Sequence, residues 1–210
     1  MWVFAEERSG STWTSIELSR RLGLPYYYVE DGREDAPDSE LIVNGCPSSM
    51  ILHTHRFSLL TLILPSLPRI RVTRRNALEQ FTSFIFMQRA KEKHPDWWLI
   101  PHIMYSPDGA IHSMVDKFDR VVEDAGGILV MRDEVRVWAQ RKKERNALWE
   151  AHSNGSQTVY YEDLAHGVEI PPAGVLSFDQ LGPCMKLPYN KPSIIWNMDE
   201  VAEWVQIEAG

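Results

Sequence analysis

Trp2-Val-Phe-Ala-Glu-Glu-Arg-Ser-Gly-Ser-Thr-Trp-Thr-Ser-Ile-Glu-Leu-Ser19 decides how this chain is read. The apolar run from Trp2 to Ala5 predicts a buried strand. Arg8, Ser9, Gly10, Ser11 and Thr12 form a turn, and Ile16, Leu18 and Leu22 then open a helical pattern. A strand, a loop of small residues and a helix in that order set several backbone N–H groups at a helix N-terminus. That end carries partial positive charge and unpaired donors, so it suits a phosphate or a sulfate. The first fifteen residues therefore predict a site for a nucleotide-like anion. A capped helix start, with Ser11 or Thr12 as N-cap, is the plainer reading of the same residues.

The anion loop is not one of the two common kinds. The pattern G-x-x-x-x-G-K-S/T needs a Lys before the hydroxyl residue. No Gly-Lys dipeptide occurs in the chain, and G-x-G-x-x-G is absent too. Here the cation comes first: Arg8, then Ser9-Gly-Ser-Thr-Trp13. A second basic segment, Arg69-Ile-Arg-Val-Thr-Arg-Arg-Asn76, reads as a strand that exits into a helix. Arg75 stands at the strand end and Ser83 lies eight residues on, inside the helix. Arg offers a planar fork for bidentate phosphate contacts, and a Ser hydroxyl adds a donor. A third strand ends in His53-Thr-His55. A later one, Thr158-Val-Tyr-Tyr-Glu-Asp-Leu164, runs into a loop.

Together these segments resemble the PAPS-dependent sulfotransferases. Their 5′-phosphosulfate loop is a basic residue followed by Ser/Thr, Gly, Ser/Thr and Ser/Thr, which matches Arg8 to Thr12. Their 3′-phosphate site is Arg followed by Asn or Asp, with a Ser eight residues later, which matches Arg75 and Ser83. The strand ending in Lys-Thr-His, whose last residue is the general base, matches His55 and puts His53 where the family usually has Lys. The Tyr-Glu-Asp segment that borders the adenine matches Tyr161, and Trp13 matches the indole that lies against that ring. The family's Gly-rich basic loop, which helps clamp the 3′-phosphate in cytosolic members, is missing. Lys186 and Lys191 lie in the corresponding region, and Lys191 stands as the candidate there. The sharp matches fall in the first 90 residues and near Tyr161.

The resemblance implies a three-layer α/β/α fold with a mainly parallel central sheet and P-loop-like architecture. It implies PAPS as sulfuryl donor, PAP as product, and a small-molecule or saccharide acceptor attacking through a hydroxyl or amine. Arg8 and the N–H groups of residues 10–13 would stabilise charge on the leaving and equatorial oxygens, and His55 would take the acceptor proton. His53 is the competing base, because residues 53 and 55 share a face of an alternating strand. A small-molecule or nucleotide kinase with a variant loop is a second reading, and a non-catalytic nucleotide-binding protein a third. No metal is expected.

Composition sets outer bounds. At 210 residues the chain reads as a single domain over 1–210, and 44% hydrophobic residues allow a substantial core. A net charge of −7 argues against a nucleic-acid partner. Arg69, Arg71, Arg74 and Arg75 nevertheless cluster locally, which suits a small polyanion. Cys46 and Cys184 give neither a disulfide framework nor metal spacing. With no signal peptide and no apolar run near ~20 residues, the expectation is a cytoplasmic protein without a membrane span. Strands are expected over 2–6, 25–30, 49–54, 69–74 and 157–161, with a short one near 128–131. Helices are expected over 12–22, 56–64, 76–93, 114–125, 133–151 and 199–208. An acidic loop (31–40) and an irregular stretch rich in Trp and Pro (94–112) lie between them. Alternating strands and helices imply a parallel sheet whose loops converge at the strands' C-terminal ends.

Overall fold

The computed structural model describes residues 1–7, 9–11, 14–15, 18, 22–24, 26–29, 50–93, 127–165 and 195–210. Arg8, Thr12, Trp13, Lys191, the acidic loop, the stretch 94–112 and the helix expected over 114–125 lie outside the described residues. Five strands make one sheet: β1 (Trp2–Ala5), β2 (Tyr26–Val29), β3 (Ile51–Thr54), β4 (Arg69–Thr73) and β5 (Gln157–Tyr160). Their order is β2-β3-β1-β4-β5, and every pairing is parallel. The helices whose whole span is described are α1 (Ala77–Lys93), α2 (Arg132–His152), α3 (Tyr161–Ala165) and α4 (Met198–Ala209). This is an α/β fold. Among the described residues no helix is long and apolar enough to cross a membrane.

The chain divides into two compact units. One holds residues Met1–Arg75 and Lys142–Met185, the other Asn76–Arg141 and Lys186–Gly210. The first contains the sheet. All four residues of β1 are buried, as expected for a central parallel strand covered on both sides. Val3 and Ala5 pack with Ile51, Ile70, Val72 and Val159 beneath Leu18. Leu18 belongs to the stretch after β1, where Ser11, Thr14, Ser15, Leu18 and Leu22 are all helical. On the opposite face Trp2 and Phe4 pack with Leu52, Leu60, Phe57 and Trp149. Phe4 meets Phe57 edge-on at 5.7 Å and Trp149 at 6.2 Å between ring centroids. Each such aromatic contributes about 1.5–3 kcal/mol through its removal from water.

The helix expected over 56–64 is instead a short 3-10 turn, Phe57–Thr61. It buries Phe57, Leu59 and Leu60, and the chain then turns away toward Pro65 and Pro68, which lack amide donors to extend it.

The second unit has its own core. Phe81, Ile85 and Phe86 of α1 pack with Val135 and Trp138 of α2 and with Val201 and Val205 of α4. Helix α1 begins where the sequence predicts, because the Asn76 Oδ1 accepts the Glu79 N–H at 3.0 Å. The strand expected near 128–131 is a single parallel bridge between Ile128 and Ile195. The Asn197 amide reinforces it, donating to the Val130 carbonyl and accepting from its N–H.

Candidate functional site

Because all five strands run parallel, the residues that follow them gather at one edge of the sheet. Glu6 and Glu7 leave β1, His55 leaves β3, Arg74 and Arg75 leave β4, and Tyr161 leaves β5. The loop after β1 and the segment after β5 touch directly. Gly10 has φ +78, and a Cβ built on it would stand 2.8 Å from the Tyr161 Cε2 and closer still to Cδ2. Only glycine provides both the left-handed backbone and the room for that ring. Ser9 donates to the Glu6 carbonyl at 2.7 Å, and Thr14 reaches back to the Gly10 carbonyl at 3.0 Å, so the turn is fastened at both ends. One residue after Thr14, the Ser15 hydroxyl is fully buried and has no hydrogen-bond partner among the described residues.

Two carboxylates at the root of an anion loop would repel its ligand. Here both are neutralised. Glu6 is 2% exposed, accepts a hydrogen bond from the Arg71 guanidinium, and has Lys142 Nζ at 3.4 Å. Arg71 also donates to the Asn146 side chain. Glu7 takes both Nη groups of Arg145, with Nη2 at 2.6 Å. Burial pushes the Glu7 carboxyl up, but the Arg145 hydrogen bonds and charge, aided by His55, outweigh it and hold it below the usual carboxylate range. Sequence reasoning missed Glu6, Glu7, Lys142 and Arg145. The signal available was the anomaly itself: Glu6-Glu7 directly before Arg8 demands counter-charges, and the basic run 141–145 supplies them.

The two histidines separate. His53 is fully buried within β3, which runs against contact with an acceptor. His55 is partly exposed, and its Nδ1 lies 2.6 Å from the Ala5 carbonyl oxygen. A carbonyl only accepts, so Nδ1 carries a proton, and whenever the ring is neutral its lone pair sits on Nε2. The rings stand 5.0 Å apart, edge to face.

The arginine cluster also divides. Arg69 is buried and donates to the carbonyls of Leu64, Leu67 and His152, capping the C-terminus of α2. Arg71 serves Glu6. Arg75 is exposed, but its fork is held in two hydrogen bonds by the Asp163 carboxylate, one at 2.7 Å, and its guanidinium lies 4.1 Å from the Tyr160 ring centroid. Its backbone N–H donates to Glu162 at 3.1 Å. Arg74, read from the sequence only as one of the basic cluster, lies 4.0 Å over the Tyr161 ring. Thus Ser9, Gly10, Ser11, His55, Arg75 and Tyr161 share the strands' C-terminal edge, and Gly10 meets Tyr161. Ser83 is fully buried in α1, within the second unit. No protein-family model matches this chain, and neither does any curated protein or solved structure.

Proposed function

We propose that the chain is a PAPS-dependent sulfotransferase of three-layer α/β/α, P-loop-like architecture. It would move a sulfuryl group to a hydroxyl or amine of a small-molecule or saccharide acceptor. One observation supports this above the others: Gly10, His55, Arg74, Arg75 and Tyr161 come from four separate strand exits and converge on one rim of the sheet. A ligand crevice is expected there in an open parallel α/β sheet. A loop compressed against an aromatic ring, two guanidiniums beside it and a buried hydroxyl without a partner among the described residues fit a nucleotide with anionic groups.

PAPS, when bound, supplies the sulfuryl group and an adenosine bisphosphate leaving group. The protein's own contribution is positioning and charge. The Ser9–Ser11 backbone offers N–H donors at a helix start, and Arg8 of the sequence motif adds a cation. Tyr161 gives a buried aromatic wall. His55, with Nδ1 tied to Ala5, presents Nε2 as the atom that takes the acceptor's proton. The Arg75 fork can receive a phosphate only by exchanging Asp163 for it, since both Nη groups are engaged.

The test is incubation with PAPS and a panel of hydroxyl and amine acceptors. PAP and a sulfated product are expected, and His55→Gln should lower turnover by about a hundredfold or more, within the range for a lost general base. Absence of PAP binding by the wild-type protein, or turnover of ATP with Mg²⁺ in its place, would sink the proposal.

A further inference from the structure

We infer that Glu7, clamped by Arg145, is a positioning residue for His55, whose cationic form its carboxylate steadies when the ring takes a proton. The inference deepens the reading above, from which it takes His55 as the base. Three contacts bring the groups together. His55 leaves β3 beside the β1 exit, because its Nδ1 is tied at 2.6 Å to the carbonyl of Ala5, two residues before Glu7. Glu7 receives both Nη groups of Arg145, with Nη2 at 2.6 Å. The same guanidinium lies 5.9 Å from the ring centroid of Phe57, two residues after His55. Arg145 thus spans the segments that leave β1 and β3, and it fixes the Glu7 carboxylate where they meet. All of these residues belong to the first unit.

In a Ser-His-Asp site one carboxylate both orients the imidazole and stabilises the imidazolium. Here the two tasks divide: the Ala5 carbonyl orients the ring, and Glu7 brings the charge. When the acceptor's O–H bond breaks and its proton forms an N–H bond on the ring, His55 becomes a cation, which a nearby ionised carboxylate favours. The coupling is visible from the Glu7 side. Against the upward push of burial, Arg145 and then His55 hold the Glu7 carboxyl below its usual range. An interaction of this kind acts equally on both partners. Other charged or titratable groups surround the ring. Glu6, from the same exit, is held by Arg71 of β4 and has Lys142 of α2 at 3.4 Å. His53, within β3, is fully buried with its ring centroid 5.0 Å away, and Arg56 follows His55 directly. These groups are common to wild type and to the Glu7 and Arg145 variants, so a difference between those proteins reports Glu7 and Arg145.

An NMR titration of the His55 imidazole C–H signal tests this without coenzyme. His55→Gln, which lacks the signal, assigns it among the seven histidines. Glu7→Gln removes the carboxylate and leaves Arg145, so the His55 midpoint should fall by about one pH unit. Arg145→Met leaves the carboxylate without its cation, so the midpoint should rise. Arg145→Lys keeps the charge and should return the midpoint toward wild type. The two Arg145 variants carry the comparison should Glu7→Gln fail to fold. With PAPS and an acceptor, the acidic limb of the kcat/KM profile should move in the same directions. A midpoint that Glu7→Gln raises or leaves in place, or that Arg145→Met does not move, overturns the inference even in a protein that turns over PAPS. The expected shifts in a protein that does not bind PAP would support the coupling of Glu7 to His55 and remove the coenzyme reading alone.

Discussion

Glu7 and Asp163 are carboxylates with opposite consequences. Glu7 is held below its ordinary range by Arg145 and His55 despite the upward push of burial. A group whose folded pKa is depressed stabilises the fold above its unfolded pKa, and that stability is lost as pH falls through the folded value. The contribution is therefore intact at neutral pH and fades on acidification below about 4.5, the ordinary carboxylate range. Glu7→Gln should be less stable than wild type at neutral pH, with a shallower loss between about pH 5 and 3. Urea midpoints measured across that window check this; parallel curves for the two proteins would remove Glu7 from acid sensing. Asp163 instead competes with a ligand. It occupies the Arg75 fork with a carboxylate, as a phosphate would. The pair is half exposed, so its own stability is small. Asp163→Asn should leave the melting midpoint nearly unchanged while tightening PAP a few-fold relative to adenosine 5′-monophosphate. Equal affinity changes for the two ligands would show that Arg75 does not read the 3′-phosphate.

Strand β4 joins local pattern to distant partners. Its apolar residues, Ile70 and Val72, were legible as a strand, as were Trp2–Ala5 and Ile51–Thr54, because each run is short and bounded by turn residues. Helix α1 was legible as the helix into which the β4 segment exits, and the structure adds its Asn76 cap. The roles of Arg69 and Arg71 were not, since each is completed by a distant partner, His152 83 residues after Arg69 and Asn146 75 residues after Arg71. Local sequence reports that a strand carries arginines; the packed α2 supplies the His152 carbonyl to one and the Asn146 side chain to another. Arg75 drew attention through the Arg-Asn dipeptide, yet the ring that touches the loop is covered by its neighbour, Arg74. The 3-10 turn at Phe57–Thr61 escaped for a similar reason. Apolar spacing over 56–64 fits a helix, and the prolines that end it lie downstream of the pattern. One consequence is measurable. Arg69→Met removes three hydrogen bonds, to the carbonyls of Leu64, Leu67 and His152, and the cation at the end of α2. It should cost on the order of 2–3 kcal/mol, the range for bonds to a charged group. A loss below ~1 kcal/mol in chemical denaturation would mean that water replaces the guanidinium at those carbonyls.

The molecule as a whole is acidic, with 29 acidic against 22 basic residues, yet its candidate site gathers cations. Much of the local positive charge is spent internally: Arg71, Lys142 and Arg145 answer Glu6 and Glu7, and Arg69 answers carbonyls. What remains for a ligand is set by Arg75 once released and by the loop amides. Binding should therefore be strong enough to register in stability and yet be weakened by salt, which screens the exposed guanidinium more than the buried groups. Two units with separate apolar cores also allow separate unfolding transitions, so a single midpoint need not describe the chain. A ligand that binds only the folded site stabilises it by about 2.7 kcal/mol at a hundred times its Kd. In a chain of this length each kcal/mol moves a midpoint by about 2–4 °C, so PAP should raise the transition that melts β1–β5 by roughly 5–10 °C. Calorimetry with and without PAP, at low and at high salt, reads this directly. A sheet transition that PAP leaves in place, at a concentration that saturates binding, would show that the ligand is not held at the rim where Gly10 meets Tyr161.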